Sequence, residues 1–172
     1  RSSTTILSNG DYYYKESNYR DAELFYNSGA KQEDIDYFSS LEGIRSAEGE
    51  YTLTCALSVD GNPIDIDVLS LTHNISTPIL LEGELPIANN ECLIEEPIAT
   101  EYSIHIGDQV SFVDTDGNTP NELVYDSYTV TGIIYHGNNL AIALYTNNNP
   151  CAVIPLDGFD YDARHGLFTS IL

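Results

Sequence analysis

The chain has 172 residues, of which 27 are acidic and 6 are Lys or Arg, so its formal net charge at pH 7 is −21. Residues 46–163 contain no Lys or Arg, yet they hold 19 of the 27 carboxylates. Binding to nucleic-acid phosphates or to anionic lipid headgroups requires clustered cations. The composition therefore excludes nucleic acid and the lipid surface as partners.

A folded domain is expected despite this charge, because 42% of the residues are hydrophobic and 10% are aromatic. The longest apolar run, residues 140–145, is far shorter than the ~20 residues that span a bilayer. The sequence lacks Met and begins with Arg1, so we expect a fragment of a longer protein. Cys55, Cys92 and Cys151 lack metal-type spacing and are expected to be buried free thiols.

The first part of the chain is predicted to form a strand–helix–strand crossover. Apolar residues alternate over residues 22–26, which predicts a first strand that is broken by the turn residues 27–29. Apolar side chains spaced by three predict a helix over residues 31–41, and Gly43 is expected to end it. The clear alternation of residues 51–59 predicts the second strand, which would be parallel to the first.

The remaining chain is predicted to be rich in strands. Residues 60–63 have turn chemistry, so residues 64–68 should return as the hairpin partner of residues 51–59. A short helix is predicted over residues 97–102, with Pro97 at its start. Further strands are predicted within residues 92–94, 104–112, 124–135, 140–145 and 152–154.

No catalytic motif is present. The sequence has no serine elbow, no paired zinc-binding histidines, no phosphate-binding loop and no dinucleotide fingerprint. The four histidines stand singly, and among 27 carboxylates a close pair is expected by chance. We therefore predict no catalytic residue, no cofactor and no enzymatic activity.

One loop has the composition of a calcium site. Asp114, Asp116 and Asn118 have the spacing of the first three ligands of a calcium loop. The match then fails, because Gly117 stands at position four and Tyr125 at position twelve, where a bidentate Glu is required. These three residues are the nearest candidates for metal ligands, and we expect a hairpin turn instead of a dedicated site.

Several short motifs in residues 83–133 occur in an ordered series. Gly107 and Asp108 predict a turn with positive φ, which the Asp side chain caps. Gly132 within a strand predicts a bulge or a close backbone approach. The motif residues are, in order, Gly83, Pro86, Asn90, Glu91, Gly107, Asp108, Tyr128, Val130 and Gly132.

This series resembles the MacB-like core domain, which lies outside the membrane in FtsX-like permeases of ABC transporters. The acidic helical segment of residues 33–44 also resembles that family, so the resemblance covers about residues 19–172. It implies an α+β fold with two lobes. One is a strand–helix–strand lobe, half of a ferredoxin-like unit, near the termini, and the other is rich in β-strands.

The resemblance also implies boundaries within the chain. Residues 1–18 would be a lead-in that follows a membrane helix, and residues 19–75 would form the mixed α/β lobe. Residues 76–160 would form the β-rich lobe, and residues 161–172 would return toward the first lobe. A single closed barrel or an immunoglobulin-type sandwich would contradict this architecture. The cations are expected to gather on the lobe that carries the termini.

For function, the resemblance implies a non-enzymatic extracytoplasmic domain of a bacterial cell-membrane protein. The full permease would act as a dimer with a separate cytoplasmic ATPase. The fragment itself would be monomeric and would meet the membrane only through segments outside this chain. An alternative from another class is a stand-alone cell-surface ligand-binding or adhesion module, whose acidic face would bind cationic peptides or divalent ions.

Overall fold

A computed structural model describes residues 15–59, 61–137 and 149–172. The described elements are mainly strands, with two short helices and one 3₁₀ turn, which confirms the predicted α+β class. In chain order they are β1 (Leu24–Ala30), α1 (Gln32–Ser39), β2 (Gly49–Glu50), β3 (Thr52–Val59), β4 (Asn62–Ser70), β5 (Ile79–Gly83), β6 (Glu91–Glu95), α2 (Glu96–Glu101), β7 (Gln109–Val113), β8 (Tyr128–Tyr135), β9 (Cys151–Ile154), the 3₁₀ turn Leu156–Gly158 and β10 (Phe168–Ile171).

The smaller sheet has three strands in the order β1–β10–β2. Both outer strands are antiparallel to β10, so β1 and β2 run parallel to each other, with α1 between them in sequence. Leu24 at the start of β1 is the Cα partner of Ile171 at the end of β10. The start of the first strand and the end of the last strand therefore lie side by side.

The predicted crossover is present, but its second strand is a different segment from the one expected. The strand parallel to β1 is the two-residue β2, whereas β3 belongs to the larger sheet. The alternation of residues 51–59 predicts a half-buried strand, but it does not indicate which sheet that strand joins. Residues 27–29 also do not end the first strand. They lie within β1, where the pairing register with β10 shifts between Phe25 and Ala30.

Helix α1 is shorter than the segment predicted for it. It ends at Ser39, where the Ser40 hydroxyl donates to the Tyr37 carbonyl oxygen (2.6 Å) and competes with continuation of the helix. Gly43 lies beyond this end at φ +89°. Helix α2 matches its predicted position within one residue, and Pro97 stands in its first turn.

The larger sheet has seven strands in the order β5–β8–β6–β9–β4–β3–β7. The predicted hairpin of β3 and β4 is confirmed, with antiparallel partners from Thr52↔Leu69 to Val59↔Asn62. In addition, β7 pairs with the start of β8, so six of the strands close into a ring. The sequence did not predict this closure. The chain is still not a single barrel, because the three-stranded sheet is separate.

Side chains from all six strands of the ring form the largest core. They pack around two fully buried aromatic residues, Phe112 and Tyr128, whose ring centroids are 5.5 Å apart. A second cluster on the opposite face includes Leu93 and Ile134. A third cluster joins α1 to the three-stranded sheet through Ile35 and Phe168.

Two of the predicted strands begin later than expected, and one lies outside the described residues. Strand β7 starts at Gln109 because residues 104–108 form a turn. Strand β8 starts at Tyr128, and Leu123 before it makes only an isolated bridge to Phe159. Residues 140–145 are not among the described residues. The lobe boundaries at residues 75 and 160 stay predictions.

Glu50 lies where the chain passes from the smaller sheet to the larger one. Its side chain is 2% exposed, and its Oε2 atom has no hydrogen-bond partner within the described part of the chain. The Thr169 hydroxyl accepts from the Thr52 N–H (3.0 Å) and donates to the Glu50 carbonyl oxygen (3.0 Å), which ties the two sheets together here. Burial, reinforced by the negative charge of Glu23, raises the pKa of Glu50 to about 7, although Arg20 opposes the shift.

Protonation of Glu50 should make stability depend on pH. The folded pKa of about 7 exceeds the ordinary value of 4.5. The contribution of Glu50 to stability is therefore greatest below pH 4.5 and is lost as the pH rises from 4.5 through 7, by roughly 3 kcal/mol. Glu50→Gln removes this titration. At pH 8.5 the free energy of unfolding of the variant should therefore be about 2–3 kcal/mol higher than that of the wild type. Urea titrations between pH 4.5 and 8.5 measure the difference.

The exposed Glu33→Gln variant controls for the loss of one negative charge. The stability curves of Glu50→Gln and wild type should converge below pH 5. Parallel curves across the whole range would show that Glu50 is not the group responsible.

Candidate functional site

The sequence motifs converge on strand β8, which is the most heavily paired strand of the described sheets. In β5, Gly83 is the Cα partner of Gly132, and in β6, Glu91 is the partner of Thr129. The Thr129 N–H also donates to the Asn90 carbonyl oxygen (2.8 Å). Three of the nine motif residues belong to β8 itself: Tyr128, Val130 and Gly132.

The Gly107–Asp108 turn docks on the same strand. The Gly107 N–H donates to the Val130 carbonyl oxygen (2.8 Å), and the Val130 N–H donates to the Asp108 carbonyl oxygen (2.9 Å). Gly107 has φ +94°, and Asp108 Oδ2 accepts the His105 N–H at 2.8 Å. The prediction of a turn with positive φ and an Asp cap is confirmed.

Gly132 shows both features that the sequence predicted for it. Cys92 is the partner of Val130 and Leu93 is the partner of Gly132, so Thr131 is an extra residue that makes a bulge. A Cβ atom on Gly132 would lie 2.9 Å from the Glu84 carbonyl oxygen and 2.9 Å from Leu93 Cδ2. The close approach of the chain after β5 leaves no room for a side chain.

The other motif residues support the loop that joins β5 to β6. Glu91 Oε2 accepts the N–H groups of Ile87 (2.6 Å) and Ala88 (2.9 Å), and Pro86 lies half-buried in this loop. The Tyr128 hydroxyl donates to the Gly158 carbonyl oxygen (2.8 Å), and a Cβ atom on Gly158 would lie 2.8 Å from the Asn89 carbonyl oxygen of the same loop. Burial raises the pKa of Tyr128 to about 12, so this donor keeps its proton.

The nearest candidates for metal ligands form a turn that uses its own acidic side chain. Asp114 Oδ1 accepts the N–H groups of Asp116 and Asn118, both at 2.9 Å. Gly117 has φ +79°, as a tight turn requires. Within the described residues, no three His, Cys, Asp or Glu side chains are grouped as metal ligands.

Burial favours the neutral forms of the described cysteines and of the buried histidine. All three cysteines are free thiols, and Cys92 and Cys151 are buried as predicted, whereas Cys55 is half-buried. Burial raises the pKa of Cys55 to about 12, and it also raises the pKa values of Cys92 and Cys151 well above the ordinary value of a thiol. Burial also lowers the pKa of His136 to about 4, so this imidazole is neutral at pH 7.

Two features of the molecule were not predicted from the sequence. Glu50 is a buried carboxylate in a short strand, and no local pattern distinguishes it from the many exposed acids of the chain. Leu85 and Ile87 are 48% and 87% exposed, in the loop between Glu84 and Glu91. The sequence pointed to the exposure of Leu85 and Ile87 only in that these apolar residues lie in a segment with the composition of a turn.

The described residues form an α+β domain with two sheets. Its motif residues take part in strand pairing, turns and close contacts of the backbone. The described part contains no helix long and apolar enough to cross a membrane. Scans against models of protein families and against curated proteins give no match.

Solved structures, in contrast, share the fold. The extracellular domain of the noncanonical ABC-type transporter YknZ from Gram-positive bacteria superposes with a TM-score of 0.56 at 9% identity, covering 87% of this chain and 79% of that domain. The periplasmic region of MacB from Actinobacillus actinomycetemcomitans gives a TM-score of 0.50 at 12% identity, covering 86% and 64%. A domain assigned to a permease protein from Porphyromonas gingivalis gives 0.52 at 14% identity, covering 83% and 60%.

These likenesses confirm the predicted resemblance in fold to MacB-like extracytoplasmic domains, whereas the ferredoxin-like half stays a prediction. At 9–14% identity they are likenesses of fold alone. The chain spans less than two thirds of the MacB region and of the Porphyromonas gingivalis domain.

Two motif glycines allow the packing of the β5 segment to be tested. Gly83 and Gly107 both have positive φ, so an Ala at either position costs ~1 kcal/mol of backbone strain. A Cβ atom on Gly83 would also lie 2.2 Å from the Thr131 carbonyl oxygen, whereas one on Gly107 would meet no atom within 4 Å. We expect Gly83→Ala to lower the free energy of unfolding by ~2 kcal/mol more than Gly107→Ala, measured by urea denaturation. Equal losses would contradict the close approach.

Proposed function

We propose that this chain is the non-enzymatic extracytoplasmic domain of a bacterial ABC transporter permease. In this role it couples ATP-driven movement of membrane helices to substrate export or to a partner outside the membrane. The observation that carries the proposal is the fold shared with the YknZ, MacB and Porphyromonas gingivalis domains. The ATPase is a separate cytoplasmic subunit, and the permease works as a dimer.

The position of the first and last strands supports this proposal. A domain inserted between two membrane segments of one protein must receive and return the chain at one place. The Leu24↔Ile171 pairing holds the start of β1 beside the end of β10. The smaller sheet would then be the end that faces the membrane, and the larger sheet would point away from it.

The distribution of charge supports the same orientation. Arg20 and Arg45 line one hollow of about 270 Å³ beside Ile171. Lys31 caps α1, and the Arg164 guanidinium lies 5.6 Å from the Phe168 ring centroid in β10. These four cations lie at the smaller sheet, whereas strands β3 to β9 lie within residues 46–163, which have no Lys or Arg. Arg1 lies outside the described residues, so the gathering of all six cations on one lobe stays a prediction. An acidic sheet is repelled by an anionic bilayer, so this sheet is expected to point outward.

The topology can be tested in the cells that make the complete protein. We expect Thr115→Cys, on the exposed β7–β8 loop, to react with a membrane-impermeant maleimide in intact cells as fully as in lysed cells. The native thiols provide a low background, because Cys92 and Cys151 are buried and Cys55 is half-buried. The labelled protein should fractionate with the membrane and co-purify with a separate ATPase.

Labelling only after lysis would contradict an extracytoplasmic position. Recovery of the protein in the medium or the cell wall, with no ATPase, would instead support the stand-alone ligand-binding or adhesion module.

Coupling and dimerisation can be measured with the same variant. A spin label at Thr115→Cys in each permease copy should give a distance across the dimer that changes when the ATPase is trapped with nucleotide and vanadate. An unchanged distance would contradict coupling, and an absence of dipolar interaction would contradict the dimer.

A further inference from the structure

The loop between β5 and β6 holds apolar side chains in solvent. Ile87 is 87% exposed, and Leu85 is 48% exposed. Leu81 in β5 is 48% exposed, and Ile106 in the Gly107–Asp108 turn is 42% exposed. We refer to Leu81, Leu85, Ile87 and Ile106 as the loop patch. Single exposed apolar residues are ordinary, whereas a group of large ones on neighbouring segments indicates an interaction surface.

The loop patch is held by hydrogen bonds. Glu91, which is fixed in β6 by its pairing with β8, accepts the N–H groups of Ile87 and Ala88 with one carboxylate oxygen. The Glu84 N–H donates to the Thr131 carbonyl oxygen at 2.9 Å, which anchors the other end of the loop. Ile87 is therefore presented on a preformed loop, and a partner that binds there does not have to order it.

The two segments of the loop patch are brought together at Gly83. A Cβ atom on Gly83 would lie 2.7 Å from Ile106 Cδ1, so Ile106 rests against β5 where the loop begins. The patch is thus formed on one part of the larger sheet.

Carboxylates adjoin the loop patch, and no cation does within its part of the sequence. Glu82, Glu84 and Asp108 are exposed next to its apolar members, and residues 46–163 contain no Lys or Arg. This charge disfavours an anionic bilayer. It also disfavours a second copy of the chain, which would place like charges against each other. A segment that carries cations beside apolar side chains complements both features.

We propose that the loop patch is a docking surface for a segment of another protein that presents Lys or Arg next to apolar residues. The apolar side chains of that segment pack on Leu85, Ile87 and Ile106, and its cations face Glu82, Glu84 and Asp108. The inference is drawn from the surface itself and stands independently of the proposed function.

The test uses a synthetic peptide of alternating Lys and Leu, titrated into the ¹⁵N-labelled chain at low salt. The largest amide shift changes are expected within residues 81–91 and 105–108. Ile87→Ser should weaken binding about tenfold, because it removes the most exposed anchor. Glu84→Gln should weaken binding several-fold and reduce its dependence on salt.

Phe25→Ser is the matched control, because Phe25 is 77% exposed on the smaller sheet, and it should bind the peptide as the wild type does. A Lys–Ser peptide should bind at least tenfold more weakly than the Lys–Leu peptide, and a Glu–Leu peptide should not bind. Phosphatidylglycerol vesicles should not bind the chain.

Four results would overturn the proposal. They are equal binding of wild type and Ile87→Ser, shift changes spread over the whole acidic surface, no peptide binding at millimolar concentration, and vesicle binding that Ile87→Ser abolishes. A dimer that Ile87→Ser dissociates would assign the loop patch to a second copy of the chain instead.

Discussion

The pairing of strand β8 is the constraint on which the larger sheet depends. This strand pairs with β5, β6 and β7, and the Gly107–Asp108 turn bonds to its backbone as well. Such dense pairing on one strand leaves no space at the point where the β5 segment crosses it, so Gly132 and Gly83 meet there without side chains. The bulge at Thr131 shifts the pleat, so that Val130 and Ile133 both point into the ring core. The motif residues therefore act through backbone geometry, which explains how a series of motifs can carry no catalytic group.

The charged residues of the chain are distributed unevenly between the two sheets. In the described part of the chain, Arg20, Lys31, Arg45 and Arg164 lie at the smaller sheet, whereas the strands of the ring lie within residues 46–163, which contain no Lys or Arg. A surface of one charge keeps a domain soluble and selects partners of the opposite charge. It also lowers the affinity for other copies of the same surface.

Sequence reasoning recovered local structure better than it recovered the assembly of the sheets. The hairpin, the Asp-capped turn and the helix at Pro97 could be predicted because each depends on neighbouring residues. The separation of β2 from β3 could not, since Tyr51 joins two strands that read as one alternating segment. Ring closure depends on the pairing of Val110 with Tyr128, eighteen positions apart, which no local pattern specifies. The candidate site was predicted only as a series of motifs, because no local pattern indicates that the Glu91 carboxylate accepts the Ile87 N–H or that the Ile87 side chain stays exposed.

Unsatisfied polar atoms indicate which sheet is the less stable one. In the described part of the chain, the buried side-chain atoms without a hydrogen-bond partner are Glu50 Oε2, Arg164 Nε and Ser170 Oγ. Glu50 and Ser170 are Cα partners in the smaller sheet, and Arg164 packs against its central strand. An unsatisfied buried polar atom costs about 1–3 kcal/mol, whereas the ring core is formed by apolar side chains. Local opening should therefore begin in the smaller sheet, beside the chain ends, and leave the ring and its loop patch intact.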